Sequence, residues 1–185
     1  MKPILVAFAT TDGHTRKIAE HVAAAFRALG GQVDLIDAAD AAASSVSPIY
    51  AAAVVAGSIH LGSYQATLRA FVKGNVDWLN ACPAAFLSVS LSAALDDEAS
   101  RAECRATAQQ FLDDTGFAPG IVLQVAGALP YTQYDWFKRF AVKMIAKRRD
   151  GNTDTTRDFV YTDWAALTQF AGEFFAATNL DVGHS

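Results

Sequence analysis

The chain of 185 residues has little with which to staple itself or to bind a metal. It has two cysteines, Cys82 and Cys104, 22 positions apart and in no Cys-x-x-Cys pair. That spacing leaves no zinc ribbon or thioredoxin-type motif, and two reduced thiols are the reading. The four histidines, His14, His21, His60 and His184, make no ligand pattern, so no metal is expected. No apolar run reaches the ~18 residues that span a bilayer. Lys2 with Pro3–Ala9 faintly mimics a signal peptide, but it lacks a cleavage site and runs straight into a polar turn. It reads as a first strand, in a cytoplasmic protein. Two nucleotide signatures are absent as well: Gly-Lys-Ser/Thr of a Walker loop, and G-x-G-x-x-G of a dinucleotide fold. A formal charge of −4 gives the whole molecule no bias toward nucleic acid.

What is present is apolar. Hydrophobic residues make up 52% and charged residues 18%, which fits a compact globule with a substantial core. One domain over residues 1–185 is expected. Ile4–Ala9 is a continuous apolar run, the mark of a parallel strand buried on both faces. A helix over His14–Leu29 follows, with Ile18, Val22, Phe26 and Leu29 on one face, and Gly30-Gly31 stops it. Further strands are expected over 32–36, 52–57, 85–91 and 121–127, and helices over 64–79, 96–114 and 163–177. This alternation means βαβ units and a doubly wound, five-stranded parallel α/β sheet, which takes ligands at the carboxyl ends of its strands.

The first such end is Thr10-Thr11-Asp12-Gly13-His14-Thr15, between the buried strand and the first helix. Its hydroxyls can donate, and the first N–H groups of the helix have no partner within it. A Thr capping a helix is common, but several hydroxyls and a Gly in one strand-to-helix turn point to a phosphate cradle. With no Lys or Arg in the loop and no Mg²⁺ ligand set, a mononucleotide such as FMN fits best. Protonation of His14 beside a phosphate would strengthen its binding at low pH. The next polar exits are Ser58-Ile59-His60-Leu61-Gly62-Ser63-Tyr64 and Ser88-Val89-Ser90-Leu91-Ser92. The first reads either as a surface loop or as one wall of a flat aromatic pocket. Gly57 and Gly62 would let backbone approach a ring, and His60 or Tyr64 would stack on it.

The rhythm breaks at residues 128–162, an insert far longer than an ordinary connection. Within it, Tyr131–Arg149 reads as a helix with Trp136, Phe137, Phe140 and Met144 on one half and Lys138, Arg139 and Lys143 on the other. Lys147 and Arg148 stand at its end. Six basic residues and one acidic give this stretch +5, against −9 for the remainder. Three readings fit: a packed helix with a solvated face, an interfacial helix for anionic lipid, or a lid over an apolar substrate.

Val6, Phe8, Thr10, Gly13 and Thr15 fill the FMN signature of flavodoxins, which this chain resembles. It resembles most closely the menaquinone-dependent protoporphyrinogen IX dehydrogenases, a flavodoxin-like family. The likeness rests on Gly57-Ser58-Ile59, Gly62 and Tyr64, on Ala126-Gly127-Ala128-Leu129, and on the insert pattern Tyr131, Tyr134, Trp136, Arg139, Phe140, Lys143, Ile145, Lys147. Thr153-Asp154-Thr155 and Val160-Tyr161-Thr162-Asp163-Trp164 extend it. Ordinary flavodoxins lack the insert. His14 and His60 depart from the family, which has Gln and Arg there.

The resemblance implies strand order 2-1-3-4-5 and FMN as cofactor. It implies oxidation of protoporphyrinogen IX with a membrane quinone as acceptor, in haem biosynthesis. The phosphate would sit on Thr10–Thr15. The flavin ring would lie between Ser58–Tyr64 and Ser88–Ser92, with Gly127, Ala128 and Leu129 nearby. The chemistry would centre on the flavin with no obligatory catalytic triad; His60, from its place in the second loop, is a candidate proton donor. Trp136, Lys138, Arg139, Phe140, Lys143, Lys147 and Arg148 would meet the substrate or an anionic lipid surface, at the inner face of the cell membrane. Two rivals share the FMN turn: a flavodoxin-type electron carrier, and an FMN-dependent quinone reductase fed by a nicotinamide.

Overall fold

In the computed structural model, which describes residues 2–40, 46–47, 49–95, 97–129 and 159–181, the apolar runs become the centre of one sheet. Its strands are β1 (Ile4–Ala9), β2 (Val33–Asp37), β3 (Ala52–Ser58), β4 (Ala84–Ser90) and β5 (Ile121–Ala126). All neighbours are parallel, in the order β2-β1-β3-β4-β5. Four helices pack on it: α1 (His14–Ala28), α2 (Ala66–Asn80), α3 (Glu98–Thr115) and α4 (Trp164–Asp181). This is the doubly wound order expected from the sequence.

The strand period of two explains why β1 is apolar at every position. Ile4, Val6 and Phe8 face one core with Ile18, Val22 and Phe26 of α1 and Leu167, Phe170 and Phe174 of α4. Leu5, Ala7 and Ala9 face a second core with Leu68, Phe71 and Val72 of α2 and Phe111 of α3. Both faces are therefore dry, as a parallel sheet requires. Each fully buried Phe or Leu contributes about 1.5–3 kcal/mol of transfer free energy. Phe86 stacks on Phe111 at 5.1 Å between ring centres, which fixes β4 against α3.

Element ends differ from the periodicity by a few residues, for visible reasons. Helix α2 begins at Ala66 and not at Tyr64, because Gln65 is still extended, with φ −56° and ψ 139°. Helix α3 begins at Glu98 because Asp97 caps it, its side chain accepting from the Ser100 N–H. Helix α4 runs on to Asp181, past Ala177. A feature the periodicity did not reveal is a two-stranded antiparallel ladder, β6 (Ala128–Leu129) with β7 (Phe159–Val160). It joins the two ends of the segment between them. Residues 130–158, with Trp136, Lys138, Arg139, Phe140, Lys143, Lys147 and Arg148, lie outside the described residues. Among the described residues no helix is long and apolar enough to cross a membrane.

Candidate functional site

Strands β1, β3, β4 and β5 all end at one edge of the sheet, and the chain changes direction of winding between β1 and β3. A cavity of about 230 Å³ opens there. Its first wall is the turn after β1. Gly13 sits just before α1 with φ 80°, a left-handed conformation that glycine adopts without steric cost. The Thr10 hydroxyl accepts from the Gly13 N–H at 2.9 Å, which closes the turn and leaves the hydroxyl hydrogen available to an acceptor. Thr10, Asp12, His14 and Thr15 line the cavity, Thr15 being nearly inaccessible from outside. The helix's first N–H groups lie at the same turn.

Among the described residues no Lys or Arg lines the cavity. Arg16, close in sequence, is engaged elsewhere: its guanidinium pairs with Asp37 at 2.7 Å and lies over the Phe8 ring. The donor set is thus neutral hydroxyls and backbone N–H groups at a helix start, and these fit a phosphomonoester.

His14 is directed across the site rather than along the loop. Its Nε2 is 2.7 Å from the Thr162 Oγ1, and that hydroxyl donates to the Ala126 carbonyl at 2.7 Å. Since the hydroxyl hydrogen is used, Nε2 must be the donor to Thr162. Burial, then the nearby Lys17 charge, lowers the His14 pKa from its ordinary 6.5. The strengthening of phosphate binding that a protonated His14 would bring is thus disfavoured by its burial, and the ring ties α1 to the segment after β7.

The second wall is Ser58, Ile59, His60, Leu61 and Gly62. His60 and Ser63 exchange backbone hydrogen bonds at 2.8 and 3.1 Å, so Leu61-Gly62 is the tip of a two-residue turn. Both tip residues are left-handed, Leu61 at φ 49° and Gly62 at φ 76°. Leu61 alone among the non-glycine residues described has positive φ, and it is 77% exposed at the cavity mouth. Bulky residues rarely accept that conformation without a use for it.

Tyr64, Ser88 and Gly57 need correction. Tyr64 is buried in the core against Phe86 and Phe111, 5.3 and 4.8 Å between ring centres. It does not line the cavity and is not placed to stack on a ligand there. Its hydroxyl meets the Ser88 Oγ at 2.7 Å, and Ser88 in turn donates to the Gln124 Oε1 at 2.9 Å. Burial pushes the Tyr64 pKa well up. Ser88 is wholly buried and serves this chain of hydrogen bonds. Gly57 makes room for the core as well: a Cβ there would lie 2.3 Å from Leu68 and 3.0 Å from Tyr64.

Val89, Ser90, Leu91 and Ser92 do form the third wall, and Gly127 and Ala128 the fourth. The Ser90 hydroxyl closes its own turn, accepting from the Ala93 N–H at 3.1 Å, and touches Cys104 Sγ at 3.1 Å. The Gly127 N–H donates to the Ser90 carbonyl at 2.9 Å, locking third wall to fourth. Leu129 contributes backbone to β6. Thr11 is exposed and accepts from the Gln65 amide at 2.9 Å.

Sequence reasoning missed Glu103, Cys104 and Thr107, which line the cavity from α3. Their spacing of three and four residues puts them on one helix face, and that was the available signal. It also missed Gln65, whose side chain bridges the first two walls. Among the described residues no group of three or more His, Cys, Asp or Glu is placed to hold a metal ion.

A five-stranded sheet in this order, with a hydroxyl-rich turn between its first strand and first helix, defines a flavodoxin-like α/β protein. The flavodoxin-domain family model matches residues 5–156. The structure resembles flavodoxin 1 from Bacillus cereus with a TM-score of 0.55 at 18% identity, covering 99% of each chain. The chain is 35% identical over 175 residues to protoporphyrinogen IX dehydrogenase (quinone) from Escherichia coli (strain K12), covering 95% of this chain and 96% of that one. It is 36% identical over 176 residues to the protein of that name from Leishmania major, covering 93% and 74%. The chain belongs to the flavodoxin-domain family and, within it, to the protoporphyrinogen IX dehydrogenase (quinone) family.

Proposed function

We propose that this protein is an FMN-dependent, quinone-linked protoporphyrinogen IX dehydrogenase acting as a single flavodoxin-like domain. The observation that carries the reading is the hydroxyl-rich turn after β1 opening on a cavity with Ile59, Val89 and Leu91 among its walls, in a chain matched over nearly its whole length by those relatives. FMN, when bound, supplies the hydride-accepting and electron-transferring chemistry.

The chain's own work is holding, orienting and shielding. The hydroxyls of Thr10 and Thr15 and the N–H groups at the start of α1 would hold the phosphate, with Ser58 alongside. Ile59, Val89 and Leu91 offer apolar surface to a flat ring and exclude water from it, with Gly127 and Ala128 closing the far side. Because the donors among the described residues are uncharged and Asp12 and Glu103 also line the cavity, the phosphate's charge would be met there by the α1 dipole and the hydrogen bonds alone. His60, on the second wall, is the proposed group for moving a proton at a substrate nitrogen or carbon. The basic stretch Tyr131–Arg149 would attract the substrate's propionates and seat the protein on an anionic lipid surface where quinone is dissolved.

Two measurements test this reading. Purified apoprotein titrated with FMN should quench flavin fluorescence at one equivalent, and anaerobic addition of protoporphyrinogen should then reduce added quinone. Bleaching by a nicotinamide donor with no response to protoporphyrinogen would instead support a quinone reductase. For the lipid surface, a variant lacking Tyr131–Gly151 should bind FMN yet lose affinity for vesicles containing anionic lipid. Unchanged vesicle binding would remove the insert from any membrane role.

A further inference from the structure

The Gln65 side chain lies where the first two walls of the cavity meet. Its Nε2 donates to the Ser58 Oγ at 2.7 Å and to the Thr11 Oγ1 at 2.9 Å. A primary amide has two N–H hydrogens, and both are used. Each hydroxyl therefore receives a hydrogen bond, and each must turn its own hydrogen elsewhere. For Ser58, which lines the cavity, the open direction is the cavity itself. The price of this arrangement is visible on the same side chain: Gln65 Oε1 is buried without a hydrogen-bond partner. The opposite amide orientation would satisfy that oxygen with the two hydroxyls. It would then strip the cavity of a donor and leave two buried N–H hydrogens unpaired.

We infer that Gln65 is a positioning residue that fixes the Ser58 hydroxyl as a hydrogen-bond donor toward the ligand's phosphate, while tying the first loop to the end of β3 through Thr11. This rests on the proposed binding of FMN. It adds to it the device by which a cradle with no Lys or Arg among its described residues sets the polarity of its donors. Gln65 stands immediately before α2, so the tie is anchored at the start of a helix.

The test compares FMN with riboflavin, which lacks the phosphate, by fluorescence quenching of the apoprotein. Gln65→Met keeps the length of the side chain and frees both hydroxyls. It should weaken FMN binding by about tenfold, the worth of one hydrogen bond to a charged group, and change riboflavin binding by less than about twofold. In a Ser58→Ala background the same substitution should have no further effect on the FMN to riboflavin ratio. Gln65→Glu, an acceptor only, should lower that ratio at neutral pH and recover part of it in acid, where the protonated carboxyl donates again. Near-UV circular dichroism of each apoprotein identifies a folding defect, and the variant that keeps the wild-type spectrum then decides the question. An unchanged ratio in that variant, or an equal loss for both ligands, overturns the inference. Wild-type protein that binds neither flavin would instead overturn the proposed function.

Discussion

His14 Nε2 donates to the Thr162 Oγ1 at 2.7 Å, joining residues 148 positions apart in the chain. The bond links the first turn of α1 to the segment that follows the β6–β7 ladder, and Thr162 passes it on to the end of β5. His14, which the sequence offered as a phosphate neighbour, lines the cavity and ties the start of α1 to the end of β5 through Thr162.

A pH dependence follows, with a definite sign. The His14 pKa is lowered in the folded protein, so the unfolded chain binds more protons as pH falls below about 6.5. The contribution of neutral His14 is fully present above that value. It is lost progressively as pH falls toward the lowered folded-state pKa, and is constant below it. His14→Gln should therefore flatten the fall in Tm between pH 7.5 and 5.5, measured by thermal unfolding of the apoprotein. An unchanged slope would place the proton uptake elsewhere.

Tyr64 separates core from site. Tyr64→Phe removes the hydroxyl that meets Ser88 while Ser88 keeps Gln124. Stability should fall by about 1 kcal/mol, the usual net worth of such a bond. FMN affinity should not change. A clear loss of FMN binding at unchanged stability would return Tyr64 to the ligand.

Gly13 is held by its backbone. A Cβ there meets nothing within 4 Å, yet φ is 80°. Gly13→Ala should cost roughly 1–2 kcal/mol from the left-handed conformation alone. It should also weaken FMN more than riboflavin, because the turn that presents the N–H groups shifts. Denaturant melts and the two titrations read these effects separately.

Leu61 carries the opposite trade. Leu61→Asn relieves the left-handed strain and should raise stability by up to about 1 kcal/mol. It also removes an exposed apolar side chain from the cavity mouth, so KM for the tetrapyrrole should rise several-fold while FMN remains bound. A stabilised variant with unchanged KM would show that the strain serves something other than the substrate.

Much of the fold was legible because it is written in runs. Ile4–Ala9 and Ala52–Ser58 are apolar at nearly every position, which only a strand dry on both faces requires. The edge strand β5 is half exposed at Ile121 and Val122, yet its place after a polar helix was enough. The two-residue strands β6 and β7 carry no periodic signal, since their pairing depends on where a long insert returns. The cavity loops were visible by composition, but which side of the sheet a side chain takes was not. Tyr64 precedes a helix and points into the core, whereas His60, four residues earlier, lines the cavity. Gln65 could not be found from sequence because its role is a hydrogen-bond geometry between Thr11 and Ser58, 47 positions apart.

Oxidation of a reduced tetrapyrrole with quinone as acceptor is tested directly by one anaerobic experiment. FMN-loaded protein is mixed with protoporphyrinogen IX and a menaquinone analogue, and porphyrin fluorescence is followed against a protein-free control. Fluorescence should rise only when both the protein and the quinone are present, and the rise should disappear when FMN is removed. Fluorescence that grows at the uncatalysed rate with quinone present would contradict it.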